Sequence, residues 1–152
     1  MAVKSLLLLM VCFFAGALMP MQAGVNFKLA KAINNNIIGA ALISFIIGTT
    51  VLACYVLFTN QLKFNVITVA KTQPYWIWMG GILGAFFVAA TTLIVPKIGS
   101  SLAFSSIIAG QLFISVIIDH YGLLGVPITP INIKKIAGII LLGIAIWIIK
   151  EN

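Results

Sequence analysis

Four long segments without a charged side chain limit what this chain can fold into. They contain 17 to 22 residues each and cover residues 5–21, 37–58, 75–95 and 100–118. A helix rises about 1.5 Å per residue, so these lengths meet or nearly meet what a membrane span requires. Lipid offers the backbone no hydrogen-bond partner, and the alternating pattern of a barrel strand is absent from the four segments. They are therefore predicted to be transmembrane helices.

A fifth apolar segment, 136–149, is shorter. Its 14 residues would span only about 21 Å as a helix. Lys134 and Lys135 precede it and Lys150 follows it, and such side chains can extend to opposite membrane interfaces. We expect a fifth span, although a run this short is often a helix that does not cross. The predicted fold is an all-α membrane protein, with residues 1–152 forming one domain of five transmembrane helices.

The first apolar segment has a second interpretation. Lys4, the apolar run 6–17 and the small residues that follow Met21 also fit a secretory signal peptide. Cleavage would leave four helices. We predict a retained helix instead, because the run is long enough to span and because Gly16 and Pro20 are tolerated inside packed membrane helices.

Composition narrows the functional class. The chain is 62% apolar and 7% charged, with a mean hydropathy of +1.23, whereas soluble domains carry about 25% charged residues. This excludes a soluble enzyme, a nucleic-acid-binding protein and a disordered protein. With one histidine, two acids and both cysteines (Cys12 and Cys54) in apolar segments, we expect no catalytic set, no cofactor and no metal site.

The lysines set no clear orientation. With five spans, the side of the N-terminus carries five lysines: Lys4, Lys63, Lys71, Lys134 and Lys135. The other side carries four: Lys28, Lys31, Lys97 and Lys150. The positive-inside rule needs an excess on the cytoplasmic side. Either the bias is weak and the N-terminal side is cytoplasmic, or the chain inserts in both directions. An odd number of helices is typical of one half of an inverted repeat, so an antiparallel homodimer would supply ten helices.

The connections between these segments are predicted to be short. Loops are expected at 25–36 and 59–74, and a tight turn at 96–99. Pro127 and Pro130 argue against helix within 120–133. Tyr75, Trp76 and Trp78 open the third span, where an interfacial aromatic belt is expected.

Polar residues inside the spans are the candidates for a substrate pathway, because polar side chains rarely face lipid. Gln111, Ser115 and Asp119 follow each other at i, i+4 and i+8, and Ser101 falls in the same wedge of the helix. Gln111 is predicted either to contact substrate or to bond a neighbouring helix. Asp119 either couples a proton or cation, or pairs with His120, Lys134 or Lys135.

Two further polar residues, Gln22 and Asn26, are one turn apart at the end of the first span. They either bond carbonyls around Pro20 or line the opening of a pathway. Hydroxyl residues elsewhere in the spans are expected to bond to their own helices, and no role is assigned to them: Ser44, Thr49, Thr50, Thr91 and Thr92.

Several motifs give the chain a family resemblance. They are Gln22-x3-Asn26-x2-Leu29; Pro74-Tyr75-Trp76-Ile77-Trp78 with Gly80-Gly81 and Gly84; Gly110-Gln111 with Asp119-His120-Tyr121-Gly122 and Gly125; and Gly138 with Gly143. On these motifs, which cover nearly the whole chain, the sequence resembles the YdcZ-type family of bacterial inner-membrane proteins in the drug/metabolite transporter (DMT) superfamily. The stretch from Gly110 to Gly125 is the most distinctive.

The resemblance implies a five-helix inner-membrane unit, half of a DMT-type fold, that transports a small molecule or ion, with members found as single proteins, inverted pairs or fused ten-helix chains. The related small multidrug resistance proteins carry a glutamate in their first helix, and this chain has no acid there. Gly80 and Gly84 are expected to admit a close helix. Gly138 and Gly143 are expected to leave a smooth patch on the last helix, which either helps to form the dimer interface, as the resemblance to the superfamily implies, or packs within one subunit. A dual-topology channel and a non-transporting accessory subunit are the alternatives to a transporter.

Overall fold

The computed structural model describes residues 3–61 and 65–150. Within them lie six α-helices: α1 (Val3–Ala32), α2 (Ile37–Phe58), α3 (Val66–Thr72), α4 (Met79–Ile98), α5 (Ser100–Tyr121) and α6 (Ile133–Lys150). Two 3₁₀ turns, Tyr75–Trp78 and Leu123–Gly125, accompany them. Lys63 and the side chain of Lys4 lie outside the described residues. The all-helical class is confirmed.

Four stretches of the described chain are long and apolar enough to cross a membrane. They are Ser5–Ala32, Ile37–Phe58, Tyr75–Ile98 and Ser100–Tyr121. The fifth predicted segment forms α6, which has 18 residues and a length of about 27 Å. Its helix is confirmed, and its passage across the membrane stays a prediction.

Helix α1 is longer than predicted. It continues through Pro20 to Ala32, so the expectation of a loop from residue 25 was wrong. Lys28 and Lys31 indicate where the membrane ends, but a helix does not have to end there. The ammonium group of Lys31 lies 4.7 Å from the centroid of the Phe27 ring, a cation–π contact one turn along the same helix.

The turn between α1 and α2 depends on three consecutive asparagines. Asn34 and Asn35 each have a φ of 60°, a left-handed conformation that asparagine adopts more readily than most residues. Asn36 then caps α2, because its side-chain oxygen accepts a hydrogen bond of 2.7 Å from the Gly39 N–H. These local interactions reverse the chain within four residues.

Two other predicted connections contain helix. The stretch 59–74 includes α3, whose first amides donate to the Asn65 side chain. The predicted turn at 96–99 was wrong, because α4 continues through Pro96 to Ile98 and only Gly99 separates it from α5. Gly99 has a φ of 83°, which a residue with a Cβ rarely adopts. A single glycine therefore connects the two helices in place of the expected four residues.

Helix α5 also exceeds its predicted end at residue 118 and continues to Tyr121. Gly122 ends it in the left-handed conformation, and its N–H donates to the Ile118 carbonyl. Asp119 and His120 consequently belong to the last helical turn rather than to the loop.

Contacts divide the chain into two compact units, Met1–Pro96 and Lys97–Asn152. In the first unit α1 packs against α2, and the buried residues of the two helices are small: Ala23, Asn26, Ala30, Ala40 and Ala41. Small side chains let helix backbones approach closely in a membrane.

In the second unit α5 packs against α6. The partly covered residues of α6 recur at helical spacing along one side, at Lys135, Ile139, Leu142, Ala145 and Ile146.

The α1–α2 hairpin is covered only near its turn. Every residue from 6 to 18 in α1 is exposed, and so is every residue from 46 to 55 in α2. The buried residues of both helices all lie in the half of the hairpin next to Asn34 and Asn35. The far half of each helix is therefore exposed on all sides, and most of its side chains are apolar.

Candidate functional site

A cleft of about 190 Å³ lies between α1 and α2 in the first unit, where close packing of the two helices ends. Its lining side chains are Gln22, Ser44, Phe45, Gly48, Thr49 and Leu52. A Cβ placed on Gly48 would meet no atom within 4 Å. The glycine therefore leaves a space that a larger side chain would partly fill.

The depth of the cleft follows from the position of its residues along α2. Ser44 and Thr49 are the eighth and thirteenth of 22 residues. They lie about 10 and 18 Å from the first residue of a helix about 33 Å long. The polar groups of the cleft therefore occupy the part of α2 that reaches the middle of the span.

The polar side chains of the cleft make no hydrogen bonds to carbonyl groups of their own helices among the described residues. Thr50 donates to the Ile46 carbonyl, and Thr91 and Thr92 donate to that of Val88, as the sequence suggested. Ser44 and Thr49 make no such bond within the described chain. Helical projection of Ser44, Gly48 and Leu52, at i, i+4 and i+8, could have revealed a common face.

Gln22 and Asn26 differ in their surroundings although they are one turn apart. Gln22 is exposed in the cleft, whereas Asn26 is 3% exposed. The Asn26 amide nitrogen has no partner among the described residues, and neither side chain bonds a carbonyl near Pro20 there. Burial of an amide without a hydrogen bond is costly, so the neighbourhood of this cleft carries unused hydrogen-bonding capacity.

The predicted polar stripe on α5 belongs to the second unit. Ser101, Gln111 and Ser115 are exposed on this helix and Asp119 is partly covered. The Ser115 hydroxyl donates to the Leu112 carbonyl over 2.9 Å. Gln111, the twelfth of 22 residues in α5, makes no hydrogen bond with any described residue. An amide in the middle of the helix is therefore uncovered among the described residues of its own unit.

Asp119 pairs with Lys135, one of the partners considered from the sequence. The Lys135 ammonium nitrogen lies 3.5 Å from Asp119 Oδ2 and donates to both the carbonyl and the hydroxyl of Thr129 at 2.8 Å. The Thr129 hydroxyl donates to the Asp119 carboxylate, and the Thr129 N–H donates to the Asp119 carbonyl over 2.9 Å. These bonds join the end of α5 to the start of α6.

His120 has a structural contact of its own. Its Nδ1 accepts a hydrogen bond of 3.2 Å from the Ile131 N–H, and its ring packs edge-on against Tyr121. Together with Thr129, this bond holds the loop that contains both prolines against α5.

Comparison with known protein families shows to which family this chain belongs. The family described as "Putative inner membrane exporter, YdcZ" matches residues 7–148. The chain belongs to the YdcZ family. No curated protein and no solved structure matched it. The match reaches from the first turns of α1 almost to the end of α6, and it agrees with the four long apolar helices. This YdcZ-family chain is a multi-pass protein of the inner membrane, and its surroundings are the lipid bilayer.

The glycine patterns of this YdcZ-family chain differ from their sequence interpretation. A Cβ on Gly84 would lie 3.5 Å from Phe45 Cζ, so α4 contacts α2 there, but a Cβ on Gly80 would meet nothing within 4 Å. Gly138 and Gly143 likewise have open space beside them. Five residues apart, they point about 140° away from each other around α6. Their role as a packing surface stays a prediction.

The Asp119–Thr129–Lys135 bonds lead to a prediction for the YdcZ-family chain. Thr129→Val should lower its free energy of unfolding by about 1 kcal/mol and speed amide exchange over residues 129–135, because the hydroxyl links both charges. Hydrogen exchange and thermal unfolding in detergent would measure this. Thr59→Val is the matched control, since that hydroxyl bonds only to the Tyr55 carbonyl of its own helix. Equal effects of the two variants would contradict the prediction.

Proposed function

We propose that this YdcZ-family chain acts as one transmembrane domain of a small-solute secondary transporter, and that two copies form an antiparallel homodimer that exports by alternating access. The uncovered Gln111 amide at mid-helix carries the proposal. Polar side chains within a span face protein or a water-filled cavity rather than lipid, and the described residues of its own unit supply no cover for this group. A second copy would supply it.

The position of Gln111 is compatible with an inverted partner. The two-fold axis of an antiparallel dimer lies in the plane of the membrane, so only residues in the middle of a span have the same depth in both copies. Gln111 has this position in α5. The five-to-four division of lysines between the two sides favours neither orientation strongly, which is what insertion in both directions requires.

Two such copies would have the parts that alternating access needs. Each copy brings a cleft between α1 and α2, and rocking of one copy against the other would expose a shared pathway to one side at a time. The residues proposed for a pathway are Gln111, Ser115, Ser101 and Asp119 on α5, and Gln22, with the buried Asn26 beside it, on α1. The apolar halves of α1 and α2 offer surface for contact with lipid or with the second copy.

Orientation of the C-terminus at Asn152 tests the dimer first. Paired reporters, one active in the cytoplasm and one outside it, would be fused to the chain in cells that express no related partner. Signal from both supports the antiparallel homodimer. Signal from one alone contradicts it.

Cysteine cross-linking then tests the interface itself. Cys12 and Cys54 are free and exposed, so both are first replaced by alanine. In that background Gln111→Cys should form a covalent dimer under mild oxidation, whereas Phe113→Cys, exposed on the opposite side of α5, should not. Purified dimer in vesicles should also show saturable flux with counter-transport. Non-saturable flux would favour a channel, and no flux an accessory subunit.

A further inference from the structure

The α1–α2 cleft combines hydrogen-bonding groups with a complete lack of charge. Three of its six lining residues are polar, namely Gln22, Ser44 and Thr49, and none of the six can ionise. The acid closest to a span, Asp119, is bonded to Lys135 and Thr129 in the other unit. An ion in this cleft would find no opposite charge among the lining residues, and an uncompensated charge at membrane depth is strongly unfavourable.

The chemistry of the polar groups narrows the ligand further. A primary amide and two hydroxyls can each donate and accept hydrogen bonds. Ser44 and Thr49 leave these capacities unused within the described chain, where neighbouring Thr50 satisfies its own by bonding to Ile46. Phe45 and Leu52 provide an apolar wall beside them. The complementary ligand has both a donor and an acceptor at one end and an apolar body at the other.

Size sets a second limit. Pockets for drug-sized ligands have volumes of about 300–1,000 Å³, and this cleft has about 190 Å³. We infer that the cleft binds a small, uncharged amphiphile such as an aromatic or aliphatic amide or alcohol, with its polar group on Gln22, Ser44 and Thr49 and its apolar body on Phe45 and Leu52. This inference rests on the proposed transport function and names the substrate class for it.

Three isosteric probes test directly whether the cleft prefers an uncharged ligand: benzamide, benzamidinium and benzoate. They share one shape and differ in charge. Binding of each to the full chain in lipid nanodiscs would be measured by equilibrium dialysis, with empty nanodiscs as the control for partitioning into lipid. Benzamide should bind saturably and at least about tenfold more tightly than either ion. Equal affinity for an ion, or no saturable binding of benzamide, would overturn the inference.

Substitution of two adjacent threonines, Thr49 and Thr50, tests where the ligand binds. Thr49→Val removes a hydroxyl that lines the cleft and should weaken benzamide binding by about three- to tenfold, the loss of one hydrogen bond. Thr50→Val makes the same change at a hydroxyl that bonds to its own helix and should leave the affinity unchanged. Equal effects would place the ligand elsewhere and overturn the inference.

Introduction of a charge at Gln22 gives the sharpest test. Gln22→Glu adds a carboxylate to the cleft and should reverse the preference, so that benzamidinium binds more tightly than benzamide. An unchanged preference in this variant would also refute the inference. Binding needs no gradient and no alternating access, so intact charge selectivity without flux would count against the proposed transport function alone.

Discussion

Replacement of Ala40 by leucine should separate α1 from α2 and lower the free energy of unfolding by about 1–3 kcal/mol. Ala40 is 0% exposed, and the buried residues of the hairpin around it are small. A leucine adds a branched side chain where no space remains, so the helices must move apart or the side chain must adopt a strained rotamer. The midpoint of thermal unfolding in detergent would measure the loss.

Ala53→Leu is the matched control for this prediction. Ala53 lies on the same helix but is exposed, so a leucine there extends into lipid or detergent and should leave the midpoint nearly unchanged. A similar loss in both variants would show that tight packing near the turn does not stabilise the hairpin. Separation of the helices in Ala40→Leu should also reduce benzamide binding in the adjacent cleft.

Gly122→Ala should be the most damaging change in the second unit. Gly122 has a φ of 62°, and a Cβ on it would lie only 2.6 Å from Ile128 Cγ1. The left-handed conformation alone costs about 1–2 kcal/mol for a residue with a Cβ, and the collision adds to this. The end of α5 and the loop that carries Thr129 should both be disturbed, which thermal unfolding and amide exchange would detect.

Two further variants separate the causes in Gly122→Ala. Ile128→Ala in the same chain removes the colliding atoms and should restore part of the stability, while the cost of the backbone conformation remains. Gly138→Ala places the same methyl group where nothing lies within 4 Å and should be neutral or slightly stabilising, because alanine favours helix over glycine. A loss in Gly138→Ala as large as in Gly122→Ala would contradict this account.

The predicted helices agree with the structure better than their predicted ends do. A sufficiently long apolar segment must form a helix within the membrane, because lipid offers its backbone N–H and C=O groups no hydrogen-bond partner. Lys28 and Pro96 suggested ends that the structure does not have, since α1 continues to Ala32 and α4 to Ile98. A lysine shows where lipid meets water, and a proline near a helix end removes one hydrogen bond without stopping the chain from continuing as helix.

In the candidate site, too, spacing along a helix predicted some features, and tertiary contacts decided others. The spacing of Ser101, Gln111 and Ser115 is enough to place them on one side of a helix, and they do lie exposed on α5. Among the partners open to Asp119, by contrast, the selection of Lys135 depends on Thr129, ten residues from Asp119, donating to one charge and accepting from the other. No spacing rule for a helix includes such a loop residue.

Hydropathy and spacing are properties of a segment, so the amino-acid order was enough to establish a multi-pass helical membrane protein, its family and the polar stripe of α5. The cleft between α1 and α2 is a property of a pair of helices. It lies where the close contact made by the small residues near the turn ends, and Gly48 leaves space there. Whether Thr49 or Thr50 lines that space depends on how the helices are rotated against each other, and packing sets that rotation.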